Sequence, residues 1–479
     1  MRTIQTDVAI IGAGTAGLNA RRQVERGGKR WVMIESGPYG TTCARVGCMP
    51  SKLLIAAADT AHEVSLAGRF GIRVNDDAWS VDGEAVMDRV RAERDRFAGF
   101  VVADTEALSA EFRIRGRARF VAPTTLMVDE HTRVEASAVV IATGSSPWIP
   151  PGMEAVADRV RVNDDVFEWR TLPESVAVFG TGIIGLELGQ ALHRLGVRVT
   201  LFNPFDQLGP FSDPVVGKVA REVMGAELDL NLGAKVHSIE PHGDGVRVDW
   251  TTMGGERRTA TFEHLLAAAG RRANLGGLGL RSIGVPLDKR GLPVSDERTL
   301  QLGDLPVFIA GDAAGHRPLL HEASDEGRIA GANAASFPHV SASIRRESLA
   351  VAFTNPQMGM VGKRFADLEP GSFVAGEVSY FSQGRARVMG INQGVVRIYA
   401  MKRRPVIVGA EMFGPRVEHT AHLVAWAVQQ QLTVGQALGM PFYHPVIEEG
   451  VRTALRDACS KLQLTRDCPP EHLATAAGM

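Results

Sequence analysis

Cysteine is scarce in this chain. Its 479 residues include only Cys43, Cys48, Cys459 and Cys468, too few for a secreted scaffold stapled by disulfides. An excess of charge of one sign is also missing. The 53 basic side chains face 54 acidic ones, for a net charge of −1. That balance offers no electrostatic footprint for nucleic acid or for an anionic membrane. No apolar run reaches the ~18 residues of a membrane span, so no membrane partner is expected. The N-terminus lacks a signal-peptide pattern, because its apolar run, Val8 to Ile11, is short and leads straight into a glycine motif. The expected location is the cytoplasm. No second close Cys/His pair follows the first, so no metal site is expected. What remains is a chain with 45% hydrophobic and 22% charged residues, enough to bury a large core in roughly three domains.

The first two cysteines are placed for chemistry. They stand in Thr42-Cys43-Ala44-Arg45-Val46-Gly47-Cys48-Met49-Pro50-Ser51-Lys52, with four residues between them. That spacing can close a small disulfide. Pro50 suits a first-turn position and Leu53 to Ala58 are good helix formers, so Cys48 enters a helix. Unpaired N–H groups at a helix N-terminus favour a thiolate. Persistent structural disulfides are rare in the cytosol, so the pair reads as one that opens and closes.

Two glycine fingerprints frame the rest. Residues 7–17 read Asp-Val-Ala-Ile-Ile-Gly12-Ala-Gly14-Thr-Ala-Gly17, a strand-like run ending in G-x-G-x-x-G. A helix pattern from Leu18 to Arg26 and a strand pattern from Arg30 to Ile34 follow, ending at Glu35, 18 residues after Gly17. Such glycines allow a tight turn and close backbone approach to a pyrophosphate, and the acid suits a ribose 2′-hydroxyl. The pattern recurs at Val-Ala-Val-Phe-Gly180-Thr-Gly182-Ile-Ile-Gly185, with a helix through Leu195 and a strand from Arg198 to Phe202. Here the residue 18 positions on is Asn203, not an acid. Asn can hydrogen-bond a hydroxyl but cannot balance a phosphate, and no Lys or Arg lies between Leu201 and Phe211. NAD is therefore expected over NADP; Asp206 is a second candidate for the same ribose. Two dinucleotide units and a redox-ready cysteine pair suggest an electron path from nicotinamide through flavin to disulfide.

Together these segments resemble the flavin-dependent pyridine nucleotide-disulfide oxidoreductases, from Asp7 to about Leu462, and among them the dihydrolipoamide-oxidising group, which the Ser51-Lys52 ending also resembles. Val139-Val-Ile-Ala-Thr143-Gly144 resembles the strand and turn closing the first flavin segment, and Gly270 the return from the nicotinamide domain. Phe308-Ile-Ala-Gly311-Asp312 resembles the second flavin motif, whose aspartate binds the ribityl chain. Leu320-His321-Glu322-Ala323 resembles the segment beside the flavin ring. The resemblance implies an ion pair of Lys52 with Glu187 that tunes the flavin, and an acid–base motif at His444-Pro445-Val-Ile-Glu448-Glu449. Pro445 can start a helix from Val446 to Leu462, placing His444 at its entrance with a carboxylate close by. Spacing does not choose between Glu448 and Glu449; the family pattern chooses Glu449. In relatives this pair reaches the disulfide of the other subunit, which implies a homodimer.

The expected fold is α/β: two Rossmann-like dinucleotide-binding domains plus a C-terminal α+β interface (dimerisation) domain. Residues 1–150 and 270–338 are assigned to FAD, 151–269 to NAD and 339–479 to the interface. The implied catalytic set is Cys43, Cys48, His444 and Glu449, with Cys43 facing a dithiol or disulfide substrate and Cys48 the flavin. A lipoyl domain of a 2-oxoacid dehydrogenase complex is the partner the resemblance implies. Three departures bear on the substrate. The family's Gly-Gly-Thr-Cys reads Gly40-Thr41-Thr42-Cys43, its Asn after the first cysteine is Arg45, and Asn203 replaces the nicotinamide-site acid. Arg45 can bind an anionic disulfide or face solvent. A paralogous NAD(P)H-dependent reductase of another disulfide is the alternative activity, and a non-catalytic flavoprotein subunit is the alternative class. Cys459 and Cys468, which are not vicinal, read as buried or incidental thiols. Asp82 to Leu108 reads as a surface helix with Val86, Val90, Phe97 and Val101 on its packed side.

Overall fold

The computed structural model describes residues 1–74 and 79–464. The first fingerprint lies in a sheet whose central strand, Arg2–Ile11, pairs in parallel with Trp31–Glu35 on one side and Thr132–Ile141 on the other. Val8 to Ile11 are all buried, as expected of a strand covered on both faces. Arg113–Arg115 extends the sheet beyond Trp31–Glu35. Thr125–Val128 and Ala118–Ala122 add an antiparallel edge. Val307–Ile309 pairs in parallel with Thr132–Ile141, so the chain returns to this sheet after building a second unit. The helix Thr15–Arg26 packs on the helix Leu320–Ser336 at nearly backbone distance. A Cβ on Gly327 would lie 2.2 Å from the Ala16 carbonyl oxygen.

The second unit is a parallel sheet in the order Asp229–Leu232, Arg198–Asn203, Ser175–Phe179, His264–Ala267, Val160–Arg161. The fingerprint helix Ile183–Arg194 follows Ser175–Phe179. An antiparallel sheet of Lys235–His242, Gly245–Thr251 and Arg257–Phe262 lies beside it.

The C-terminal sheet is antiparallel, in the order Leu349–Ala352, Gln357–Gly362, Ile407–Gly414, Val395–Met401, Phe373–Ser379. The helices Val417–Gln429 and Glu449–Leu462 bury one face each in its core. A buried polar joint ties this sheet to the second unit. The Glu411 carboxylate, fully buried, accepts the N–H groups of Ser212, Asp213 and Phe365. Asp213 in turn accepts from Arg397 and from the Tyr399 hydroxyl.

Three expectations are corrected. The last helix starts at Glu449, not at Val446, because Pro445 leads into a turn that Glu449 closes by accepting the Val446 N–H at 3.2 Å. The surface helix spans Gly83–Glu106 and buries Met87, Val90, Arg94, Ala98 and Thr105. Val86 packs against the core as expected, Phe97 and Val101 are half-buried, and Arg94 pairs with Asp95 and Glu168. Cys459 is not a spare thiol: it is buried and disulfide-bonded. Cys468 lies outside the described residues.

Candidate active site

A cleft of about 1510 Å³ runs between the two nucleotide units, and the cysteine pair sits on its wall. Cys43 belongs to the short helix Thr42–Val46, and Cys48 opens the helix Cys48–Leu66. Gly47, at φ −132° and ψ −113°, breaks the two apart and turns both sulfurs into one space. Both are free thiols here, and Cys48 is exposed into the cleft. Their electrostatics differ sharply. A hydrogen bond from Cys43, helped by the Lys52 charge, outweighs burial and lowers the Cys48 thiol to about 7. The same hydrogen bond, with burial, pushes Cys43 strongly upward. The surroundings of Cys48 therefore favour the thiolate and those of Cys43 the protonated thiol.

Lys52 lies one helical turn beyond Cys48. Its Nζ donates to Glu187 at 2.8 Å and stands 4.6 Å from the centre of the Phe353 ring. Glu187 is buried on the second fingerprint helix, and its other oxygen accepts the Phe353 N–H at 2.7 Å. The ion pair thus bridges the redox helix, the second unit and the edge of the C-terminal sheet. Phe353 carries no local signal in the sequence, since its role depends on a chain crossing from another sheet.

The fingerprints form two cradles on the same cleft. Gly14, Gly144, Gly180, Gly182 and Gly270 line it, and no atom would meet a Cβ on Gly14 or Gly182 within 4 Å, so backbone N–H groups there are open to a ligand. Gly12, Gly17 and Gly185 are needed behind the wall. A Cβ on Gly17 would stand 1.9 Å from the Gly12 carbonyl oxygen, and one on Gly185 2.0 Å from that of Gly180. Glu35 ends its strand by accepting the N–H groups of Ala13 and Gly37, which ties the acid to the glycine loop. Asp312, His321 and Ala323 line the flavin end, where Asp312 accepts from Ser145 at 2.6 Å. Among the described residues, the buried Thr143 hydroxyl has no hydrogen-bond partner. An open N-terminal cradle, an acid at the strand tip and an unpaired hydroxyl fit a flavin dinucleotide in the first unit.

At the second unit, the Asn203 amide is occupied. Its Nδ2 donates to Thr181 and to the Gln207 carbonyl, and its oxygen accepts the Phe205 N–H. Asn203 therefore shapes the loop at the end of the nucleotide cleft as well as lining it. Asp206 pairs with Arg221 at 2.7 Å instead of facing the ribose end. Lys235 and His237 line the same end, brought there by the Ala234 N–H bonding to the Asn203 carbonyl. The long stretch of intervening chain hides that meeting from a reading of the sequence.

Arg45 is half-buried, with its methylenes against Gly40 and its charge facing Asp164. Thr41 adopts φ 56° and ψ 150°, backbone that favours glycine, while its hydroxyl accepts the Ala44 N–H.

His444 and Glu449 do not line the cleft of their own protomer. His444 is exposed, and its Nδ1 stands 3.1 Å from both oxygens of the buried Glu449. That contact fixes which imidazole nitrogen holds the proton and leaves Nε2 outward as a base. Among the described residues no group of His, Cys, Asp and Glu is arranged for a metal ion, and no helix is long and apolar enough to cross a membrane.

Residues 6–327 match the family model described as pyridine nucleotide-disulphide oxidoreductase, and residues 348–455 match the dimerisation domain of the same family. The chain belongs to that family. The pyridine nucleotide-disulphide oxidoreductases most similar in sequence include dihydrolipoyl dehydrogenases. That of Haloferax volcanii is 29% identical over 95% of this chain and 96% of its own. That of Bacillus subtilis is 29% identical over 94% and 97%. Among solved structures, LpdA from Mycobacterium tuberculosis superposes with a TM-score of 0.79 at 24% identity, covering 95% of this chain and 99% of that one. The HOCl-induced flavoprotein disulfide reductase RclA from Escherichia coli, in its Cu(II) complex, has a TM-score of 0.79 at 21% identity, covering 96% and 99%. The chain is thus an FAD- and NAD-dependent disulfide oxidoreductase of mixed α/β fold that carries the dimerisation domain.

Proposed function

We propose that the enzyme oxidises dihydrolipoamide to lipoamide with NAD as acceptor, and that Cys43, Cys48, His444 and Glu449 carry the chemistry. The observation that supports this most is geometric: both thiols share the cleft wall, with the Lys52–Glu187 pair one helical turn beyond Cys48. In the oxidised enzyme, His444 Nε2 takes a proton from one substrate thiol. The resulting thiolate attacks the Cys43 sulfur of the Cys43–Cys48 disulfide. The bond between the two cysteines breaks, a substrate–Cys43 disulfide forms, and the electron pair leaves on Cys48, the sulfur whose environment favours the anion. The second substrate thiol, deprotonated in turn, displaces Cys43 and closes the cyclic disulfide. Gly14, Glu35 and Asp312 of the first unit would hold FAD, which when bound would supply the relay of that electron pair to NAD. In sum, dithiol and NAD⁺ give disulfide, NADH and one proton.

The division into FAD segments 1–150 and 270–338, an NAD segment 151–269 and an interface 339–479 belongs to the same reading. So does the homodimer in which each His444 serves the disulfide of the second copy. A lipoyl domain is the macromolecular form of this substrate. Arg45 and Thr41, at places where relatives differ, favour a second reading: reduction of another disulfide by the same residues in reverse. Steady-state turnover with dihydrolipoamide, with NAD and NADP tried in turn, tests the substrate. Turnover with NAD is expected; none with either nucleotide rejects dihydrolipoamide and leaves the second reading.

A further inference from the structure

The break between the two cysteine-bearing helices leaves a carbonyl to be satisfied. The helix Thr42–Val46 ends at Gly47, and a helix end leaves C=O groups without intrahelical partners. The Val46 carbonyl, midway between Arg45 and Gly47 in the redox turn, is buried with its residue. It accepts a hydrogen bond from Asn163 Nδ2 at 2.7 Å. Asn163 comes from a distant stretch of sequence, where it opens the short helix Asn163–Val166 packed beside Thr42–Val46, and it is itself buried.

The amide is held in that orientation from behind. Its second contact is Asp164 Oδ1 at 2.9 Å, and its oxygen accepts from Arg271 Nη1 at 3.3 Å. The Arg271 guanidinium is fixed twice on Ser145, through Nε to the hydroxyl at 2.8 Å and through Nη2 to the carbonyl at 2.7 Å. The Ser145 hydroxyl donates to Asp312 at 2.6 Å. A continuous path of hydrogen bonds therefore runs from the carbonyl between the redox cysteines to the aspartate at the flavin end of the cleft. It passes through residues from separate stretches of sequence. The Arg45 and Arg271 charges both face Asp164 and oppose the rise that burial imposes on its carboxyl, so the anchor of the Asn163 amide is electrostatically braced.

We infer that Asn163 is a positioning residue for the Cys43–Cys48 pair: its amide holds the Val46 carbonyl, through Arg271 and Ser145, at a fixed place relative to the flavin cradle. The inference rests on the proposed disulfide mechanism. In that mechanism both sulfurs must move between bonded and separated states while Cys48 keeps its aim. A carbonyl pinned between them lets the side chains rotate without the turn drifting.

The test uses the FAD-loaded enzyme with Asn163→Ala and with Asn163→Asp, which keeps the size and removes the donor. Three quantities are read: electron transfer from NADH to ferricyanide, which needs the flavin but not the disulfide; dihydrolipoamide turnover; and the pH midpoint of the thiolate–flavin absorbance after two-electron reduction. Ferricyanide reduction and FAD content are expected to stay near the wild type, and the melting temperature to fall by only a few degrees. Dihydrolipoamide turnover is expected to fall by about tenfold or more, the scale of one unsatisfied buried group. The thiolate midpoint is expected to rise in both variants. Unchanged turnover and midpoint overturn the inference, as does a loss of turnover that merely tracks loss of FAD or of fold. Absence of the thiolate–flavin absorbance in the wild type instead rejects the disulfide mechanism itself, which keeps the two failures apart.

Discussion

At the scale of single residues, the proposed chemistry depends on two sulfurs of the same kind being made unlike. Cys48 is lowered to about 7 by the Cys43 hydrogen bond and Lys52, against an ordinary 9.0. A lowered thiol pKa means the charged form persists above the midpoint and is lost as pH falls through it. Thiolate–flavin absorbance of the two-electron-reduced enzyme is therefore expected to fade as pH drops through about 7, followed by spectrophotometric titration. A midpoint near 9 contradicts the assignment of Cys48 as the anion. His444→Gln removes the outward base and is expected to lower dihydrolipoamide turnover by about 10²–10⁴-fold while leaving ferricyanide reduction intact. Thr41 gives a stability prediction whose sign follows from magnitudes. Its glycine-favouring backbone costs about 1–3 kcal/mol. Exchanging a Thr cap for Gly costs only a few tenths of a kcal/mol. Thr41→Gly should thus stabilise the protein by about 1 kcal/mol in urea denaturation; a destabilised variant means that the Thr41 hydroxyl on Ala44 is worth more than the strain.

At the scale of elements, the fingerprints show what a sequence can declare. Gly12, Gly14 and Gly17 announce a strand, a turn and a helix through their spacing, and both units fold that way. Cys48 at a helix start is equally local. What stays hidden is set by contacts between distant elements. The Phe353 backbone on Glu187, the Asn163 amide on Val46 and Lys235 beside Asn203 each join strands or helices that no spacing connects. The misjudged start of the last helix is a smaller case. The fixed φ of Pro445 suits a first helical turn, but the Glu449 carboxylate closes the turn before it and sets the boundary three residues after Val446. The helix pair Thr15–Arg26 and Leu320–Ser336 meets through glycine at backbone distance. Gly327→Ala is expected to force the pair apart and cost about 1–3 kcal/mol or more, with FAD released at lower temperature in a melt followed by flavin fluorescence.

At the scale of the whole molecule, two nucleotide units and the C-terminal sheet must hold one cleft. The Lys52–Glu187 pair and the Asp213–Glu411 joint do this with charges drawn from different units. Glu411→Ala strips a buried acceptor from three backbone N–H groups. A loss of about 3 kcal/mol or more is expected in denaturation, since each stranded donor costs about 1–3 kcal/mol; a loss under about 1 kcal/mol means the joint does not hold the units together. His444 is exposed and braced by Glu449 away from the cleft of its own protomer, and on the proposed mechanism the dimerisation domain presents it to the second copy. The central claim is that Cys48 is the sulfur facing the flavin. Anaerobic reduction of the FAD-loaded enzyme by two electrons tests it most directly. A long-wavelength thiolate–flavin band is predicted in the wild type and in Cys43→Ser, and no band in Cys48→Ser. A band that survives in Cys48→Ser contradicts the account.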